Sequence, residues 1–438
     1  MQIRPTLPGL KTTPILIRNA RIFNGTSEQL IEGQDLLVAE GRIARIAPRI
    51  DPDAGWQVID AEGRTLSPGF IDAHAHVMFQ MSFSEAFGSD EFYWAYKATA
   101  AAETYLMNGF TTIRDVGGNT FSLKKTIDAG VIAGPRIYPS GPMISQTSGH
   151  SDHRQDCHRC ATILNEPSVP MKYHMVAVAD GVDSVLVSVR EALRRGASQI
   201  KICTTGGTGS FADPLDVTQF LPSEVQAAVA AARDWGTYVC THAYHDEGIR
   251  RAVENGVQCV EHANLASEAT LRMMQERGIW LSPQVIIYTK HPLGYTDDQK
   301  SKHDEAYDGI DQMMTVARKI GFEKIAFGSD IITDPDLLAR VNDEFRLRTK
   351  WFTPFEVMRQ ATALSGELLA LSGRRNPYPG KLGVIEEGAL ADLLLIDGNP
   401  LVDIEVVTGP DENLHLIMKG GVVHKSTLSS LKGFSDAR

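Results

Sequence analysis

The chain has 438 residues, of which 43% are hydrophobic and 22% charged, so it can bury one large core and a smaller one. Its formal net charge of −11, with the positive residues scattered, argues against nucleic acid or an anionic membrane as a partner. Prolines and charges occupy the first eleven residues and no long apolar run follows, so we expect a cytoplasmic protein without a membrane segment.

The first segment, residues 14–66, contains short strand-like stretches. Turn dipeptides such as Asn24-Gly25 and Glu40-Gly41 separate these stretches, which predicts a small antiparallel sheet. Residues 393–398 and 414–421 have the same strand-and-turn pattern, and neither end of the chain alone supplies enough strands for a sandwich. We therefore predict a composite β-sandwich domain built from residues 1–67 and 374–438.

Between these ends, strand-like runs alternate with helix-like stretches such as residues 182–195 and 222–235. The strand-like runs are residues 68–76, 111–115, 136–139, 199–203, 238–242, 259–262, 280–283 and 324–330. This alternation predicts an α/β fold, a TIM-like (β/α)8 barrel over residues 68–373, with its active site at the C-terminal ends of the strands. Residues 145–175 are long for a loop and are expected to cover part of that site.

Side chains that can bind a metal follow several of the predicted strands. His74 and His76 have the spacing i, i+2, so their side chains point the same way and can bind one ion. Each such residue has an ordinary explanation when seen alone, such as chance spacing, a strand-edge charge, a core histidine or a helix cap. Their shared position at one end of separate strands favours a metal site. The set is His74, His76, Lys201, His242, His262 and Asp330.

This set resembles the amidohydrolase superfamily, and the resemblance covers nearly the whole chain. It is carried by the residues 69–76 (Gly-Phe-Ile-Asp-Ala-His-Ala-His), Lys201, His242, His262 and 328–330 (Gly-Ser-Asp). Residues 147–150, 201–207 and 242–244 are similar to the prolidase-like branch with imidazolonepropionase-related sequences. That branch includes bacterial Xaa-Pro dipeptidases and enzymes that hydrolyse the amide of ochratoxin. Ser151 replaces the glycine that the branch leads us to expect after His150.

The resemblance implies two divalent metal ions, with zinc as the expected metal. One ion would be held by His74, His76 and Asp330, and the other by His242 and His262. Lys201 is expected to be carboxylated by CO2, because two dications repel an ammonium whereas a carbamate is an anion with two oxygens. Water bound to such ions titrates near pH 7 and serves as the nucleophile.

The resemblance also implies the substrate, a small-molecule amide or dipeptide with a free C-terminal carboxylate, ochratoxin A included. Asp330 is expected to transfer the proton, with Tyr244 and His150 as candidate donors to the oxyanion. For Tyr244 a packing role, and for His150 a surface-loop role, is an equal alternative. Candidate substrate contacts are His153, Arg154, Tyr288 and His291, with Leu281, Val285 and Ile286 as an apolar acyl pocket or as barrel core. We expect a homo-oligomer.

Other interpretations stay open at this point. A mononuclear deaminase on the same barrel usually has a glutamate three residues after the fifth-strand histidine, where this chain has His245, and a cyclic-amide or lactone hydrolase or a non-catalytic binding barrel is also compatible. The glycines of residues 205–210 lack the Gly-Lys-Ser/Thr ending of a phosphate loop. Cys157 and Cys160 form half a zinc site at most, and the five cysteines, an odd number, agree with a reducing compartment.

Overall fold

The computed structural model describes residues 13–155, 157–164 and 166–428. The strands are β1 Ile15–Ile22, β2 Ile31–Ala39, β3 Arg42–Ala47, β4 Gln57–Asp60, β5 Thr65–Pro68, β6 Phe70–Ala75, β7 Phe110–Asp115, β8 Arg136–Pro139, β9 Met143–Ser145, β10 Val176–Val178, β11 Ile200–Cys203, β12 Val239–His245, β13 Cys259–Leu265, β14 Trp280–Ser282, β15 Leu393–Ile396, β16 Leu414–Lys419 and β17 Val422–Ser426.

The helices are α1 Phe83–Phe87, α2 Glu91–Met107, α3 Phe121–Asp128, α4 Ala161–Leu164, α5 Val169–Lys172, α6 Gly181–Arg195, α7 Pro222–Trp235, α8 Asp246–Glu254, α9 Glu268–Glu276, α10 Asp297–Lys319, α11 Pro335–Leu338, α12 Asp343–Arg348, α13 Pro354–Arg359, α14 Ser365–Ala370 and α15 Pro410–Asn413. Short 3₁₀ turns cover Ile286–Thr289, Gly373–Arg375 and Ile404–Val407, and a π-helical turn covers Gln360–Leu364. None of the described helices combines the length and apolar character that a bilayer crossing requires.

Strands from both ends of the chain form one sheet. Its order is β17-β16-β15-β5-β1-β2-β3, and β4 also pairs with β1. Both β4 and β5 run parallel to β1, so the prediction of a purely antiparallel sheet is wrong for these two strands. The hairpin between β16 and β17 turns at Gly420 and Gly421, whose φ angles are +57° and +75°. Two consecutive residues at positive φ match the twist of a tight hairpin, and glycine adopts them without steric cost. The N-terminal and C-terminal strands therefore depend on each other for pairing.

The central part of the chain supplies parallel strands. β6, β7 and β8 form one sheet, and β10, β9, β11, β12, β13 and β14 form another. Residues 324–330 link β14 to β6 through backbone bonds: Ala326 N–H donates to Leu281 O at 2.9 Å and Ala73 N–H donates to Phe327 O at 2.7 Å. This is the α/β barrel architecture that the alternating pattern predicts.

The eighth predicted strand, residues 324–330, is not a regular strand. Within it only Ile325 forms a bridge, to Leu281. The Phe327 N–H donates to Ser365 Oγ at 3.1 Å, so a helix side chain takes the place of a ladder partner. Asp330 then lies at φ +54°, outside the strand region. The prediction of a full strand here is wrong, although the segment occupies the expected place between β14 and β6.

Strand β15 connects two hydrophobic cores. Leu393 and Leu395 belong to the core of the terminal sheet, which is built around Ile17, Leu66 and Leu416. Leu394 and Ile396 instead belong to the large core that contains Phe70, Phe110 and Phe345. This alternation follows from the two-residue repeat of a strand, which directs successive side chains to opposite faces. All four β15 side chains are fully buried.

Candidate metal centre and substrate cavity

All six predicted metal-binding side chains line one cavity of about 50 Å³. Each belongs to a separate strand or strand end, apart from His74 and His76, which β6 and the residue after it supply. Lys201 lies in β11, His242 in β12 and His262 in β13. Asp330 ends the segment that follows β14. The structure therefore brings together the complete set that the sequence indicates.

The carboxylate of Asp330 lies among three of the imidazoles. Its Oδ1 is 3.1 Å from His74 Nε2 and 3.2 Å from His76 Nε2, and its Oδ2 is 3.9 Å from His262 Nδ1. Donor atoms of His74, His262 and Asp330 all lie within 4.8 Å of one another. The ring of His242 is next, with its centroid 4.6 Å from that of His262. These separations suit ligands that share one metal centre.

His74 is oriented by a buried ion network. Its Nδ1 is 2.9 Å from Glu261 Oε2, and Glu261 in turn accepts two hydrogen bonds from Arg114 at 2.8 and 2.9 Å. Both Glu261 and Arg114 are fully buried, so the pair is screened from water. Burial alone would raise the pKa of Glu261, yet Arg114 and His74 hold it well below its usual range. A carboxylate behind the ring is the usual means of fixing a metal-binding histidine.

Backbone carbonyls orient two further imidazoles. His76 Nδ1 lies 3.1 Å from Gly117 O, and His242 Nε2 lies 3.0 Å from Gly206 O. A carbonyl only accepts hydrogen bonds, so the proton of each neutral ring lies on the nitrogen that faces it. The lone pair of each ring is therefore on its other nitrogen, where a metal can bind it.

This arrangement of lone pairs fits a cation. With Nδ1 of His74 and His76 donating to acceptors, both Nε2 lone pairs face one oxygen of Asp330. Lone pairs that face a carboxylate oxygen at such distances repel it unless a proton or a metal ion lies between them. His74 Nε2 is also buried without a hydrogen-bond partner among the described residues. The donor set therefore fits a divalent ion held by imidazole and carboxylate.

Two of these side chains are held by unusual backbone conformations. His262 has φ +72° and its neighbour Ala263 has φ +59°, and Asp330 has φ +54°. Residues other than glycine in this region cost about 1–3 kcal/mol each and cluster at functional sites. The surrounding packing therefore stabilises a strained backbone in order to direct His262 and Asp330 toward the cavity.

The electrostatics keep the carboxylate charged and two imidazoles neutral. Burial opposes ionisation of Asp330, but its hydrogen bonds and charge interactions with the surrounding imidazoles hold the Asp330 pKa well below its usual range. Asp330 in turn raises the pKa of His76 against the effect of burial, so a proton between them is favoured where no metal ion lies. Burial lowers the pKa of His242 and of His262 well below the ordinary histidine value. At neutral pH these two rings therefore carry lone pairs, which is the form that binds a metal.

His150 lies over the cavity on the segment after β9. Its ring stacks on that of His242, with centroids 3.9 Å apart and planes at 15°. Its Nδ1 is 3.1 Å from Ser210 Oγ and 3.4 Å from Asp213 Oδ2, and Asp213 also accepts the Gly207 N–H at 2.8 Å. A Cβ at Gly207 would lie 2.1 Å from that Nδ1, so only glycine fits beneath the ring. The glycines after β11 therefore have a steric role below His150.

Of the other candidate residues, Tyr244, Tyr288 and His153 line the cavity. The hydroxyls of Tyr244 and Tyr288 are 2.6 Å apart, and that of Tyr288 is 3.4 Å from His262 Nδ1. His153 is buried, with its Nδ1 unpartnered among the described residues, and burial lowers its pKa to about 3.

The structure places Arg154 and His291 outside the cavity lining. Arg154 is bound to Asp152 by hydrogen bonds, and His291 Nε2 lies 2.7 Å from Asp304 Oδ1. Leu281, Val285 and Ile286 belong to the large core, not to the cavity wall. The first two side chains therefore form hydrogen bonds with neighbouring carboxylates, and the other three pack in the core. His245, Cys157 and Cys160 are likewise absent from the described cavity wall.

Several cavity residues have no signal in the sequence. Phe83 and Tyr295 form two nearly parallel aromatic walls, with planes at 8° and centroids 6.5 Å apart. The His153 ring packs on Phe83 at 5.2 Å. Phe83 begins the short helix α1 and Tyr295 precedes α10, where no periodic pattern distinguishes a cavity residue from a surface one. Thr208, Ile287, His303 and Ile332 complete this part of the wall.

An α/β barrel with imidazoles, a lysine and an aspartate converging at its strand ends defines a class of metal-assisted hydrolases. The chain belongs to the amidohydrolase family, whose sequence profile matches residues 65–423. Members of this family generally use metal ions. The protein is therefore a hydrolase that acts on the C–N bonds of small-molecule amides.

Three proteins illustrate the similarity. An ochratoxinase of Aspergillus niger is 29% identical over 382 residues, which cover 82% of this chain and 75% of the ochratoxinase. The solved structure of a prolidase complexed with N-methylphosphonate-L-proline is 31% identical, covers 95% of this chain and 100% of its own, and has a TM-score of 0.88. A Xaa-Pro dipeptidase with bound methionine is 28% identical, covers 94% and 100%, and has a TM-score of 0.82.

Proposed function

We propose that the protein uses two divalent metal ions to hydrolyse the amide of N-acyl amino acids or dipeptides that carry a free C-terminal carboxylate. The observation that carries this proposal is the pair of Nε2 lone pairs of His74 and His76 facing one oxygen of Asp330. His74, His76 and Asp330 would hold one ion, and His242 and His262 the other. When bound, such ions polarise the substrate carbonyl and lower the pKa of water.

Lys201 would join the two ion sites as a carbamate. Its side chain is 2% exposed and has no hydrogen bond or ion pair to any described residue. A buried ammonium without a partner is costly, and two nearby dications would raise that cost further. Reaction with CO2 replaces the positive charge by an anion with two oxygens. Imidazole, carboxylate and carbamate together favour zinc.

Asp330 and Tyr244 are the side chains that would act on the reacting groups. Asp330, ionised at neutral pH, accepts the proton that the attacking water releases and then donates it to the nitrogen of the leaving amino acid. Burial raises the pKa of Tyr244 above its usual value, so the hydroxyl stays protonated and donates a hydrogen bond to the oxyanion. Tyr288, whose hydroxyl is 2.6 Å away, fixes the orientation of Tyr244, and His150 is a second candidate donor.

The aromatic walls suggest which groups the substrate carries. Phe83 and Tyr295 are nearly parallel, and Ile287 adds an apolar surface. Planar or cyclic groups pack well against aromatic faces. Of the similar proteins, one is an ochratoxinase and another is a prolidase bound to a proline analogue. Both are associated with molecules that carry cyclic groups. We infer that this chain takes an aryl acyl group or proline, ochratoxin A included.

His153 would bind the substrate carboxylate. It is a buried cavity residue whose Nδ1 has no partner among the described residues, and such a group gains a hydrogen bond when an anion enters. Its low pKa keeps the ring neutral, so it contributes a single N–H to the carboxylate.

The test uses zinc-loaded protein and measures metal content and kcat/KM on the same sample. The substrates are N-benzoyl amino acids, Xaa-Pro dipeptides and ochratoxin A, each as the free acid and as the methyl ester. The ester should react about 5- to 150-fold more slowly, since an unpaired buried donor costs about 1–3 kcal/mol. His153→Phe should remove this difference by slowing the free acid only. Arg154→Lys is the matched control, because the guanidinium of Arg154 is bound to Asp152 and lies outside the cavity lining.

Equal rates for acid and ester, with faster turnover of cyclic amides or lactones, would assign the protein to another reaction of the same family. Release of ammonia from a ring amine would instead favour the mononuclear deaminase. That alternative has less support here, because His245 lies at the start of α8 and faces Val217 O at 3.3 Å rather than the cavity.

A further inference from the structure

A second group of potential metal ligands lies beside the cavity, outside the centre described above. One ring nitrogen each of His291 and His303 and a carboxylate oxygen of Asp304 lie within 4.8 Å of one another. His291 Nε2 is 2.7 Å from Asp304 Oδ1, and the rings of His291 and His303 are 5.1 Å apart. The side chains of His291 and Asp304 are 39% and 64% exposed. The group is therefore open to ions from solvent on one side and buried on the other.

His303 is the buried member of this group. It is 1% exposed, and its Nε2 lies 3.2 Å from the carbonyl oxygen of Ile287. A carbonyl is an acceptor only, so it fixes the ring proton on Nε2 and leaves the lone pair on Nδ1. That Nδ1 is buried without a hydrogen-bond partner among the described residues. Burial also lowers the pKa of His303, so the lone pair is present at neutral pH.

We propose that His291, His303 and Asp304 form a separate site for a divalent zinc ion. Two imidazoles and one carboxylate are the ligands that zinc prefers, and three protein ligands leave a position for water. The hydrogen bond from His303 Nε2–H to Ile287 O is the support that metal-binding histidines usually have. Without an ion, the contact between His291 and Asp304 is an exposed hydrogen bond, of the kind that contributes little to stability.

The site would join two segments that border the cavity. His291 follows the 3₁₀ turn Ile286–Thr289, whereas His303 and Asp304 belong to α10. The His303 ring also lies 5.3 Å from the ring of Tyr288 and lines the cavity with it. A zinc ion would therefore hold the loop after β14 against α10 at the edge of the cavity. This inference does not depend on the reaction that the barrel catalyses.

The experiment measures bound zinc per chain by equilibrium dialysis over a range of free Zn²⁺. His291→Asn and Asp304→Asn remove ligands on the exposed side, where folding should tolerate them. His174→Asn is the matched control, an exposed histidine with φ +58°, a conformation that asparagine accepts. Both cluster variants should bind one zinc ion fewer than wild type and His174→Asn. Because the result is a difference between variants, it does not depend on how many ions the barrel site holds.

A second variant and a second readout separate this site from the barrel centre. Asp330→Asn should lose ions from the barrel and keep the extra zinc ion, and crystals soaked in zinc should show anomalous density between His291, His303 and Asp304. Equal zinc content in wild type and both cluster variants would overturn the proposal. So would density confined to the barrel, or Mg²⁺ that competes as well as Zn²⁺.

Discussion

Lys201 offers the sharpest test of the metal centre at the scale of a single residue. Lys201→Ala should lose most of the bound metal and the activity together, since the carbamate that we propose as the bridge between the ions could not form. Removing the side chain leaves space for a small carboxylate, so acetate or propionate added with zinc should restore part of both. Metal content and turnover, measured with and without the added acid, check this expectation.

Wild-type protein supplies the control for Lys201→Ala, because the added acid should change neither its metal content nor its activity. Full activity of Lys201→Ala without any added acid would contradict the bridging role. If Lys201 is carboxylated as proposed, zinc loading of metal-free wild type should also proceed faster with bicarbonate present, as a source of CO2.

At the scale of secondary-structure elements, the Arg114–Glu261 pair joins β7 to β13 and supports His74 on β6. Glu261→Gln leaves the guanidinium of Arg114 buried and unbalanced, which should lower the free energy of unfolding by about 3–5 kcal/mol. The double variant Arg114→Met with Glu261→Gln removes both charges and should recover much of this loss. Urea unfolding of wild type and the two variants measures it.

The same two variants separate stability from orientation. Both lack the carboxylate behind His74, so both should bind zinc about 10- to 100-fold more weakly than wild type. If the double variant regained metal affinity as well as stability, the role of Glu261 would be structural only.

His424 on β17 gives a pH dependence that is independent of the metal centre. Burial lowers its pKa to about 3 in the folded protein, whereas an unfolded histidine titrates near 6.5. The unfolded chain therefore binds a proton that the folded chain does not, between these two values. The contribution of the neutral His424 ring to the free energy of unfolding is therefore fully present above about pH 6.5. As the pH falls toward 3, the free energy of unfolding decreases by about 1.4 kcal/mol per pH unit.

His424→Leu should therefore flatten the loss of stability between pH 6.5 and 4. The change also removes a buried Nδ1 that has no hydrogen-bond partner among the described residues, so stability at pH 7 should not fall far. Urea unfolding at several pH values checks the slope, with the exposed His174→Asn as a control that keeps it. Parallel slopes for wild type and His424→Leu would show that His424 is protonated in the folded state.

The sequence correctly predicts those site residues that lie in strands with a recognisable hydrophobic pattern. His74, Lys201, His242 and His262 lie in strands that their apolar runs reveal, and a barrel brings the ends of its strands together. The eighth run has the composition of a strand, but Ser365 from a distant helix takes the hydrogen bond of Phe327. No local pattern contains that contact.

The substrate side of the cavity is harder to predict, because contacts that form only in the folded chain decide which side chains face it. Arg154 and His291 have suitable side chains and lie near the cavity, but they form hydrogen bonds with Asp152 and Asp304 instead of facing it. Phe83 begins the short helix α1 and Tyr295 lies just before α10, so their rings meet only in the folded chain. The domain boundaries at residues 67/68 and 373/374 stay a prediction.

At the scale of the whole molecule, β15 makes the terminal sheet and the barrel depend on each other. Leu394 packs in the barrel core and Leu395 in the core of the terminal sheet, one residue apart on the same strand. Arg136 of β8 adds a second link, with two hydrogen bonds to Asp392 at 2.8 and 3.0 Å. Neither core can lose β15 without exposing the other. We therefore expect the two parts to unfold as one cooperative unit.

Leu394→Ala and Leu395→Ala test this cooperation, because they open a cavity in one core each. Both should lower the free energy of unfolding by about 2–5 kcal/mol. Hydrogen exchange followed by mass spectrometry in increasing urea should show β2 and β13 losing protection at the same concentration, in wild type and in both variants. Either replacement should lower the urea concentration at which β2 and β13 lose protection by the same amount, because β15 packs in both cores. A variant in which β2 opened while β13 stayed protected would show instead that the barrel keeps its structure without the terminal sheet.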